Sequence, residues 1–358
     1  MNIKKLMVRA LLLAEKGRGR VSPNPMVGAV IYNNGGIISE GYHEYFGGSH
    51  AEINAIKRAK KSVKGARMVL NLEPCVHQGK TPPCVPEIVK AGIKEVTIGM
   101  KDPNPLVKGR GIKYLTSRGI KVKTGVLGKE CRFLNRAFVS SFERKRPWVV
   151  LKEGLSLDGK IASKTGNSKW ITNEKSRIFA HLLRYGSDVV MAGAQTLRID
   201  KPSLKPYLLN KKPHPLGFPA RCVLTHSGRI GGCAQSVDNS EALIIATDNK
   251  NAAKKYLSTT GKASVICFKS INNLLEQLCI KGYNSVLLEG GGKLAGSFFD
   301  ADLIDEVYFI FAPVVIGGER AVSAVAGEGC RFVKEAVSFK KWEVLDADGN
   351  FIFHGLRN

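Results

Sequence analysis

Two short segments of this sequence contain histidine, glutamate and cysteine residues of the types that bind metal ions. If these residues form one site, the fold must bring the two segments together. GGSHAEINAI places His50 and Glu52 at the start of a predicted helix. The Pro-rich stretch EPCVHQGKTPPC places Cys84 nine positions after Cys75. The two cysteines could form a disulfide, hold a metal, or be unrelated buried thiols.

The expected compartment narrows these alternatives. The N-terminal stretch MNIKKLMVRALLLAEKG mixes charges with apolar residues, and no apolar run approaches the ~20 residues of a membrane span. We therefore expect a cytoplasmic protein with no membrane partner. In a reducing cytosol, eight cysteines on a long chain are not a disulfide framework, so a close pair favours metal binding or catalysis.

The combined pattern favours zinc. His50-Ala51-Glu52 followed by Pro74-Cys75 matches the H-x-E and P-C-x-x-C signature of zinc deaminases, although Cys84 replaces the second cysteine of a tight C-x-x-C. One imidazole and two thiolates make a three-ligand site that holds one zinc per chain and leaves a position for water. Glu52 is then the predicted acid/base, moving protons from water to the departing amine.

The first half of the chain alternates predicted helices and strands. This alternation predicts a mixed sheet covered by helices on both faces, an α/β domain. Helices are predicted at residues 3–16, 51–61, 85–91 and 112–117, and strands at 27–32, 36–42, 67–72, 94–100 and 121–126.

A charged stretch that ends in proline, residues 143–147, marks a predicted domain boundary. A length of 358 residues suits two domains, here 1–144 and 145–358. The second is another α/β domain with a C-terminal hairpin turning at Asp348-Gly349. Its strands are predicted at residues 148–152, 187–193, 221–225, 242–247, 263–268, 285–288 and 306–316.

The net charge is +25, from 55 Lys and Arg against 30 Asp and Glu. Such an excess suits nucleic-acid or phosphate binding. However, the basic residues are spread along the chain with only short clusters, so a solvated Lys-rich surface is the favoured interpretation. An RNA-binding adenosine deaminase remains an alternative.

Several long motifs in order resemble the bifunctional deaminase/reductase family of riboflavin biosynthesis, RibD. They are SPNPMVGAVI, EGYHEYFGGSHAEINAI, LEPCVHQGKTPPC, DPNPLVKGRG, LKEGLSLDGKIA, GNSKWIT, LEGGGKLAG and APVVIGG. The resemblance implies a cytidine-deaminase-like domain followed by a dihydrofolate-reductase-like domain. It implies zinc-dependent deamination of diaminohydroxyphosphoribosylaminopyrimidine, then reduction of the ribosyl group to ribityl with NADPH.

The resemblance also assigns residues. In the first domain it places zinc on His50, Cys75 and Cys84 with Glu52 as acid/base, and substrate on Asn24, His43, His77 and Lys80. In the second it implies substrate contacts at Ser168, Arg184, Leu204 and Glu289. The implied cofactor contacts are Gly154, Trp170, Thr196, Asp200, Gly291, Gly292, Lys293, Leu294, Ala295, Gly296 and Ser297.

The glycine-rich LEGGGKLAG has a physical rationale. Glycines between a strand and a helix let backbone N–H groups approach a phosphate, although the pattern is not G-x-G-x-x-G. Trp170 could equally be a core aromatic, and Asn24 a turn residue.

The second domain departs from the family after Asp200. The family usually has threonine and arginine where DKPSLKPY has Lys205 and Tyr207. Tyrosine cannot supply the permanent charge of arginine, although Lys205 or Lys211 could compensate. A deaminase with an inactive reductase-like domain is therefore a second hypothesis. A phosphorylated small-molecule substrate, no nucleic acid, and a homodimer or homotetramer are the expected partners.

Overall fold

The computed structural model describes residues 2–207, 219–227, 242–259 and 263–357. The chain divides into two compact units, Met1–Lys145 and Arg146–Asn358. Each unit has its own sheet and its own buried apolar clusters. The boundary predicted between residues 144 and 145 lies next to this division.

The first unit begins with a helix that is capped by Asn2, whose side chain accepts a hydrogen bond from the Lys4 N–H. The apolar residues at helical spacing are the ones that this helix buries. The helices of the first unit are α1 (Ile3–Glu15), α2 (Ala51–Arg58), α3 (Cys84–Lys90), α4 (Arg110–Ser117), α5 (Gly128–Leu134) and α6 (Arg136–Glu143). Its strands are β1 (Gly28–Asn33), β2 (Gly36–Tyr42), β3 (Arg67–Leu72), β4 (Glu95–Met100) and β5 (Lys121–Thr124).

These strands form one mixed sheet in the order β2-β1-β3-β4-β5. β1 pairs antiparallel with β2 and β3, whereas β3, β4 and β5 are parallel. One apolar cluster joins the sheet to α2, α3 and α4, and another joins its opposite face to α1 and α5. The predicted mixed sheet with helices on both faces is confirmed.

Gly41 allows α2 to lie directly on β2. A Cβ atom at this position would stand 2.3 Å from the backbone nitrogen of Ala55 and 2.4 Å from the carbonyl oxygen of Ala51. Because both are backbone atoms of α2, no side-chain movement could relieve the clash. Gly41 therefore allows the short distance between β2 and α2, the helix that begins directly after His50.

The second unit alternates strands and helices before ending in a hairpin. Its helices are α7 (Glu174–Tyr185), α8 (Ala194–Asp200), α9 (Lys250–Thr259), α10 (Ile271–Ile280) and α11 (Gly292–Asp300). Its strands are β6 (Trp148–Ser156), β7 (Lys160–Ala162), β8 (Val189–Gly193), β9 (Ala220–Leu224), β10 (Leu243–Thr247), β11 (Ser264–Cys267), β12 (Ser285–Leu288), β13 (Glu306–Ala312), β14 (Val322–Ser323), β15 (Lys341–Asp346) and β16 (Phe351–Leu356).

Nine of these strands form a sheet in the order β11-β10-β9-β8-β12-β6-β13-β16-β15. The pairs from β11 to β13 are parallel, and β16 and β15 continue the sheet antiparallel. Buried clusters cover both faces of the parallel part. The carboxyl ends of the parallel strands therefore meet at one edge, where α/β folds bind their ligands.

Some predicted boundaries were wrong. Helix α2 ends at Arg58 rather than residue 61, and α5 and α6 were not predicted. Strand β13 ends at Ala312 instead of 316, because its neighbour β6 ends at Ser156, opposite Ala312. The N–H groups of Ile316 and Gly317 donate instead to the carboxylate of Asp158. Across the described ranges, no helix has the length and apolar character to cross a bilayer.

Candidate active sites

Three metal-type ligands converge in the first unit. The Nδ1 atom of His50 lies 3.5 Å from the Cys75 sulfur and 3.2 Å from the Cys84 sulfur. His50 is the N-cap of α2, Cys75 lies in the loop that follows β3, and Cys84 is the first residue of α3. The carboxyl end of one strand and two helix N-termini thus bring the three side chains together.

The spacing of these donors fits zinc. Tetrahedral coordination with Zn–S of ~2.3 Å and Zn–N of ~2.0 Å implies nitrogen–sulfur separations of roughly 3.5 Å. All three donor atoms lie within 4.8 Å of one another. One nitrogen and two sulfur donors also leave a fourth tetrahedral position for water or substrate.

Contacts around His50 and Cys75 favour the forms of these two side chains that bind metal. Thr81 Oγ1 lies 3.1 Å from Nε2 of His50, so the ring atom that does not face the thiols has a hydrogen-bond partner. A hydrogen bond with Cys84 lowers the pKa of Cys75 to about 4, against the effect of burial, and His50 adds to the lowering. A thiolate is the form that binds metal.

Glu52 is the second residue of α2 and is only 3% exposed. Burial raises the pKa of its carboxyl group, and its charge interacts with those of His50 and Cys75. A buried carboxyl group beside a metal-binding cluster is suited to take up and release a proton.

Asn24 and His43 are linked beside this cluster. The His43 ring lies edge-on to the His50 ring, with centroids 5.2 Å apart. Nδ1 of His43 lies 3.1 Å from the Ser49 carbonyl oxygen, and Nε2 lies 3.2 Å from the amide nitrogen of Asn24. A neutral ring that donates from Nδ1 and accepts at Nε2 satisfies both contacts. Burial lowers the pKa of His43, which favours that neutral form.

The remaining predicted substrate contacts of this unit lie in the loop between the two cysteines. The Lys80 ammonium sits 4.0 Å from the centroid of the Phe46 ring. The Nδ1 atom of His77 is buried and has no hydrogen-bond partner within the described part of the chain. The loop therefore offers one cation and one unsatisfied imidazole nitrogen.

A cavity of about 980 Å³ lies at the carboxyl ends of the parallel strands in the second unit. It is lined by residues from β6 in the centre of the sheet to the loop after β11, so it is long enough to span several strands. The predicted residues that line it are Gly154, Ser168, Trp170, Thr196, Asp200, Leu204, Glu289, Gly291, Gly292, Lys293, Leu294 and Ser297.

Three predicted residues do not line the cavity. Ala295 is buried in the apolar cluster below α11. Gly296 packs on neighbouring backbone, because a Cβ atom there would stand 1.7 Å from the carbonyl oxygen of Ala326. Arg184 reaches the site indirectly, through its ion pair with Glu289. Trp170 does line the cavity and is 74% exposed, so it is not a core aromatic.

Three consecutive glycines, residues 290–292, lead from β12 into α11, and we call them the glycine loop. This loop and the N-terminus of α11 line the cavity. Gly291 is the N-cap of α11, no side chain caps the helix, and its first turn holds no acidic residue. The N–H of Gly291 donates to Thr196 Oγ1 at 3.1 Å, which fixes the loop against α8. Uncapped N–H groups together with Lys293 fit a phosphate group of a dinucleotide.

A cluster of buried charged groups lies where Lys152 and Glu289 line the cavity. Arg184 donates two hydrogen bonds to the Glu289 carboxylate, at 2.9 and 2.7 Å. The Lys152 ammonium lies 3.7 Å from the same carboxylate. Burial opposes ionisation of Glu289, but the two cations outweigh it and hold its pKa at about 2. Glu289 is thus a permanent carboxylate.

Comparisons with known proteins agree across both units. Residues 1–100 match the family model "cytidine and deoxycytidylate deaminase zinc-binding region", and residues 147–349 match "RibD C-terminal domain". The RibD protein of Actinobacillus pleuropneumoniae is 38% identical over 342 residues, 93% of this chain and 90% of that protein. The chain belongs to the RibD family.

Other members of the RibD family extend the match. The Escherichia coli protein is 33% identical over 97% of both chains. The solved structure of Acinetobacter baumannii RibD has a TM-score of 0.91 at 31% identity, covering 99% of this chain and 98% of that one. A Thermotoga maritima deaminase/reductase has a TM-score of 0.86 at 35% identity, with the same coverage.

Membership of the RibD family confirms the predicted fold class and the predicted pair of activities. The protein is a bifunctional deaminase and reductase of riboflavin biosynthesis, with a zinc-binding deaminase domain and an NADPH-dependent reductase domain.

The departure from the RibD pattern, at Lys205 and Tyr207, follows Leu204, which lines the reductase cavity. The Tyr207 ring packs edge-on to His181, with centroids 5.8 Å apart, and Tyr207 is 36% exposed. The carbonyl oxygen of Lys205 accepts a hydrogen bond from Arg184 at 3.2 Å. Lys211, the other candidate substitute for arginine, lies outside the described residues.

Sequence reasoning missed three residues at the two sites. Thr81 stands in the GKTPPC motif, but nothing in the sequence indicates that its hydroxyl meets His50. Lys152 and Glu153 stand in LKEG, at the predicted end of a strand, where charged residues inside an apolar run are the signal that could have identified them.

Proposed function

We propose that this protein first deaminates diaminohydroxyphosphoribosylaminopyrimidine and then reduces the ribosyl group of the product to ribityl. The observation that carries the proposal is the presence of two separate sites. One is the convergence of His50, Cys75 and Cys84 beside buried Glu52. The other is the cavity with the glycine loop in the second unit. The similar Thermotoga maritima protein bears both activities in its name.

In the deaminase unit, His50, Cys75 and Cys84 would hold the zinc. Zinc bound there would act as a Lewis acid and lower the pKa of a water molecule to about 7. Glu52 takes a proton from the attacking water and returns it to the departing amino group. Thr81 keeps the His50 ring oriented, so that Nδ1 faces the thiols.

Substrate recognition in this unit falls to Asn24, His43, His77 and Lys80. His43 holds the Asn24 amide nitrogen, which leaves the amide oxygen of Asn24 to accept from the pyrimidine edge. Lys80 supplies the cation that a phosphorylated substrate needs. The buried, unpartnered Nδ1 of His77 is available to the same substrate.

In the reductase unit, NADPH supplies a hydride. The uncapped N-terminus of α11 with Gly291, Gly292 and Lys293 binds a cofactor phosphate. Ser168 donates to the Asp200 carboxylate at 3.0 Å, which orients both side chains at the cavity wall. Glu289, Ser168, Leu204 and, through Glu289, Arg184 position the sugar against the nicotinamide.

A second candidate is a deaminase whose reductase domain is inactive. The observation that favours it is Tyr207, which lacks the charge that a substrate phosphate would meet in the family. The two candidates differ in whether the second reaction occurs.

One experiment separates them. Purified protein is given the pyrimidine substrate with and without NADPH, and the products are identified by mass spectrometry. The proposed function requires ammonia release in both samples and the ribityl product only with NADPH. Ammonia release without NADPH oxidation would support the second candidate, and no ammonia release would overturn both.

The assembly of the protein stays a prediction. We expect a homodimer or homotetramer, which light scattering combined with gel filtration would measure directly.

A further inference from the structure

The reductase cavity contains a second buried carboxyl group that the proposed roles do not use. Glu153 lies on β6, is 6% exposed and lines the same cavity as Glu289. Its Oε1 atom is buried and has no hydrogen-bond partner within the described part of the chain. A buried polar atom left without a partner costs stability, so its retention calls for a role.

The end of β6 explains how Glu153 reaches the cavity. β6 pairs with β12 only as far as Leu151, opposite Leu288, although it continues to Ser156. Beyond Leu151 the pairing with β12 ends, and Lys152, Glu153 and Gly154 all line the cavity. Glu153 therefore lies just past the end of the β6–β12 pairing, at the level where the chain leaves β12 and continues as Glu289 and the glycine loop.

The surroundings shift the pKa values of the two carboxyl groups in opposite directions. Burial raises the pKa of Glu153 well above the usual range, and the negative charge of Glu289 adds to this while Lys152 opposes it. Glu289 is held ionised by Lys152 and Arg184. Two carboxyl groups in one site with separated pKa values are the pattern of an acid and an anion with distinct roles.

The remaining charged groups of the cavity lie on other elements. They are Arg177, Arg198, Asp200, His226, Asp248 and Lys293. The pKa of Glu153 is raised by burial, lowered by the charge of Lys152 and raised by that of Glu289.

The reaction requires one acid. Conversion of the ribosylamine to a ribitylamine breaks the bond between C1′ and the ring oxygen, and that oxygen leaves as the 4′-hydroxyl by taking one proton. The nitrogen lone pair forms a C1′=N iminium, to which the hydride of NADPH adds. Substrate, NADPH and one proton thus give product and NADP⁺, with the proton on the oxygen and the hydride on carbon.

We propose that Glu153 is the general acid of the reductase, which protonates the ring oxygen while the Glu289 carboxylate stabilises the iminium. The unpartnered oxygen of Glu153 and its place in the cavity with Glu289 carry this assignment. After each turnover Glu153 takes a proton back from water. The inference rests on the proposed reductase function.

The test compares Glu153→Gln, which keeps the shape but cannot give a proton, with Glu153→Asp, which keeps the acid. The matched control is Glu319→Gln at an exposed position away from the cavity. Reductase kcat and its pH profile, NADPH affinity, and deaminase rate are measured on each protein. The three tryptophans all lie in the second unit, so their fluorescence verifies that this unit is folded.

We expect Glu153→Gln to lower reductase kcat by ~10²–10⁴-fold, with NADPH affinity and deaminase rate unchanged. The decline of the wild-type rate at high pH should disappear in this variant, and Glu153→Asp should recover part of the rate. A Glu153→Gln protein with near wild-type kcat would overturn the assignment. So would loss of NADPH binding or of folding, since either marks a structural role. Wild-type protein that oxidises no NADPH would instead overturn the proposed function.

Discussion

Thr81 Oγ1 lies 3.1 Å from Nε2 of His50, on the opposite side of the ring from the Nδ1 atom that faces Cys75 and Cys84. A hydroxyl oxygen at this position accepts a hydrogen bond from the Nε2–H of a neutral ring, whose Nδ1 is then unprotonated and open to a metal. Thr81 therefore selects the ring tautomer that the zinc site needs.

Replacing Thr81 with valine should weaken zinc binding by ~10–100-fold, because the His50 ring loses the partner that orients it. Competition with a chelator measures this affinity directly, without relying on activity. Thr81→Ser, which keeps the hydroxyl, is the matched control and should bind zinc as the wild type does. Equal affinities for all three proteins would show that the contact has no influence on the metal.

Replacing Glu52 with glutamine should abolish ammonia release while the protein retains about one zinc per chain. Glutamine keeps the shape and the hydrogen bonds but cannot carry a proton between water and the amino group. Metal analysis and an ammonia assay on the same preparation separate the two effects. Turnover at the wild-type rate would exclude Glu52 as the proton carrier.

Replacing Tyr207 with arginine should lower the reductase KM for the deaminated substrate. A charge-assisted contact to phosphate contributes on the order of 1–3 kcal/mol. If it acts equally on ground and transition states, KM changes and kcat does not. Tyr207→Phe, which adds no charge, is the control. An unchanged KM in the arginine variant would indicate that Lys205 or Lys211 already fills this role.

The stability of the second unit should depend on pH through His354. Nε2 of His354 lies 2.9 Å from a carboxylate oxygen of Glu306, and Nδ1 lies 2.9 Å from one of Glu343. Burial lowers the pKa of His354, but the hydrogen bonds to both carboxylates outweigh it, and the pKa is raised. Because the pKa of His354 is higher in the folded than in the unfolded protein, its protonated ring stabilises the fold. This stabilisation is complete below about pH 6.5 and is lost as the pH rises through the pKa of His354 in the folded protein.

His354→Gln should therefore cost more stability at pH 6 than at pH 9, as measured by urea unfolding followed by tryptophan fluorescence. The control is His226→Gln, because His226 pairs with Asp248 on an exposed part of the surface. A loss of equal size at both pH values would mean that His354 contributes by packing on Tyr308 rather than through its charge.

The order of secondary structure and the ligands of the metal site could be predicted from sequence because they depend on local signals. Apolar spacing defined α1, and the joined motif identified His50, Glu52, Cys75 and Cys84. Contacts between distant segments could not be predicted. Arg184 and Glu289 are 105 positions apart, and only the fold shows that they form a bidentate pair.

Gly296 illustrates the opposite error. As one glycine of LEGGGKLAG it suggests close approach of a phosphate, but the backbone that it approaches is its own chain at Ala326. A glycine signals that something comes near without indicating what it is. The role of such a residue is therefore decided by the packing around it.

Among the described residues, each of the two units has its own buried apolar clusters. We therefore expect each half of the chain to melt by its own cooperative transition, so that a single melting temperature would not describe the whole protein. Zinc should shift only one calorimetric peak and NADPH only the other. Because every tryptophan belongs to the second half, a fluorescence melt would report nothing about the zinc-binding half.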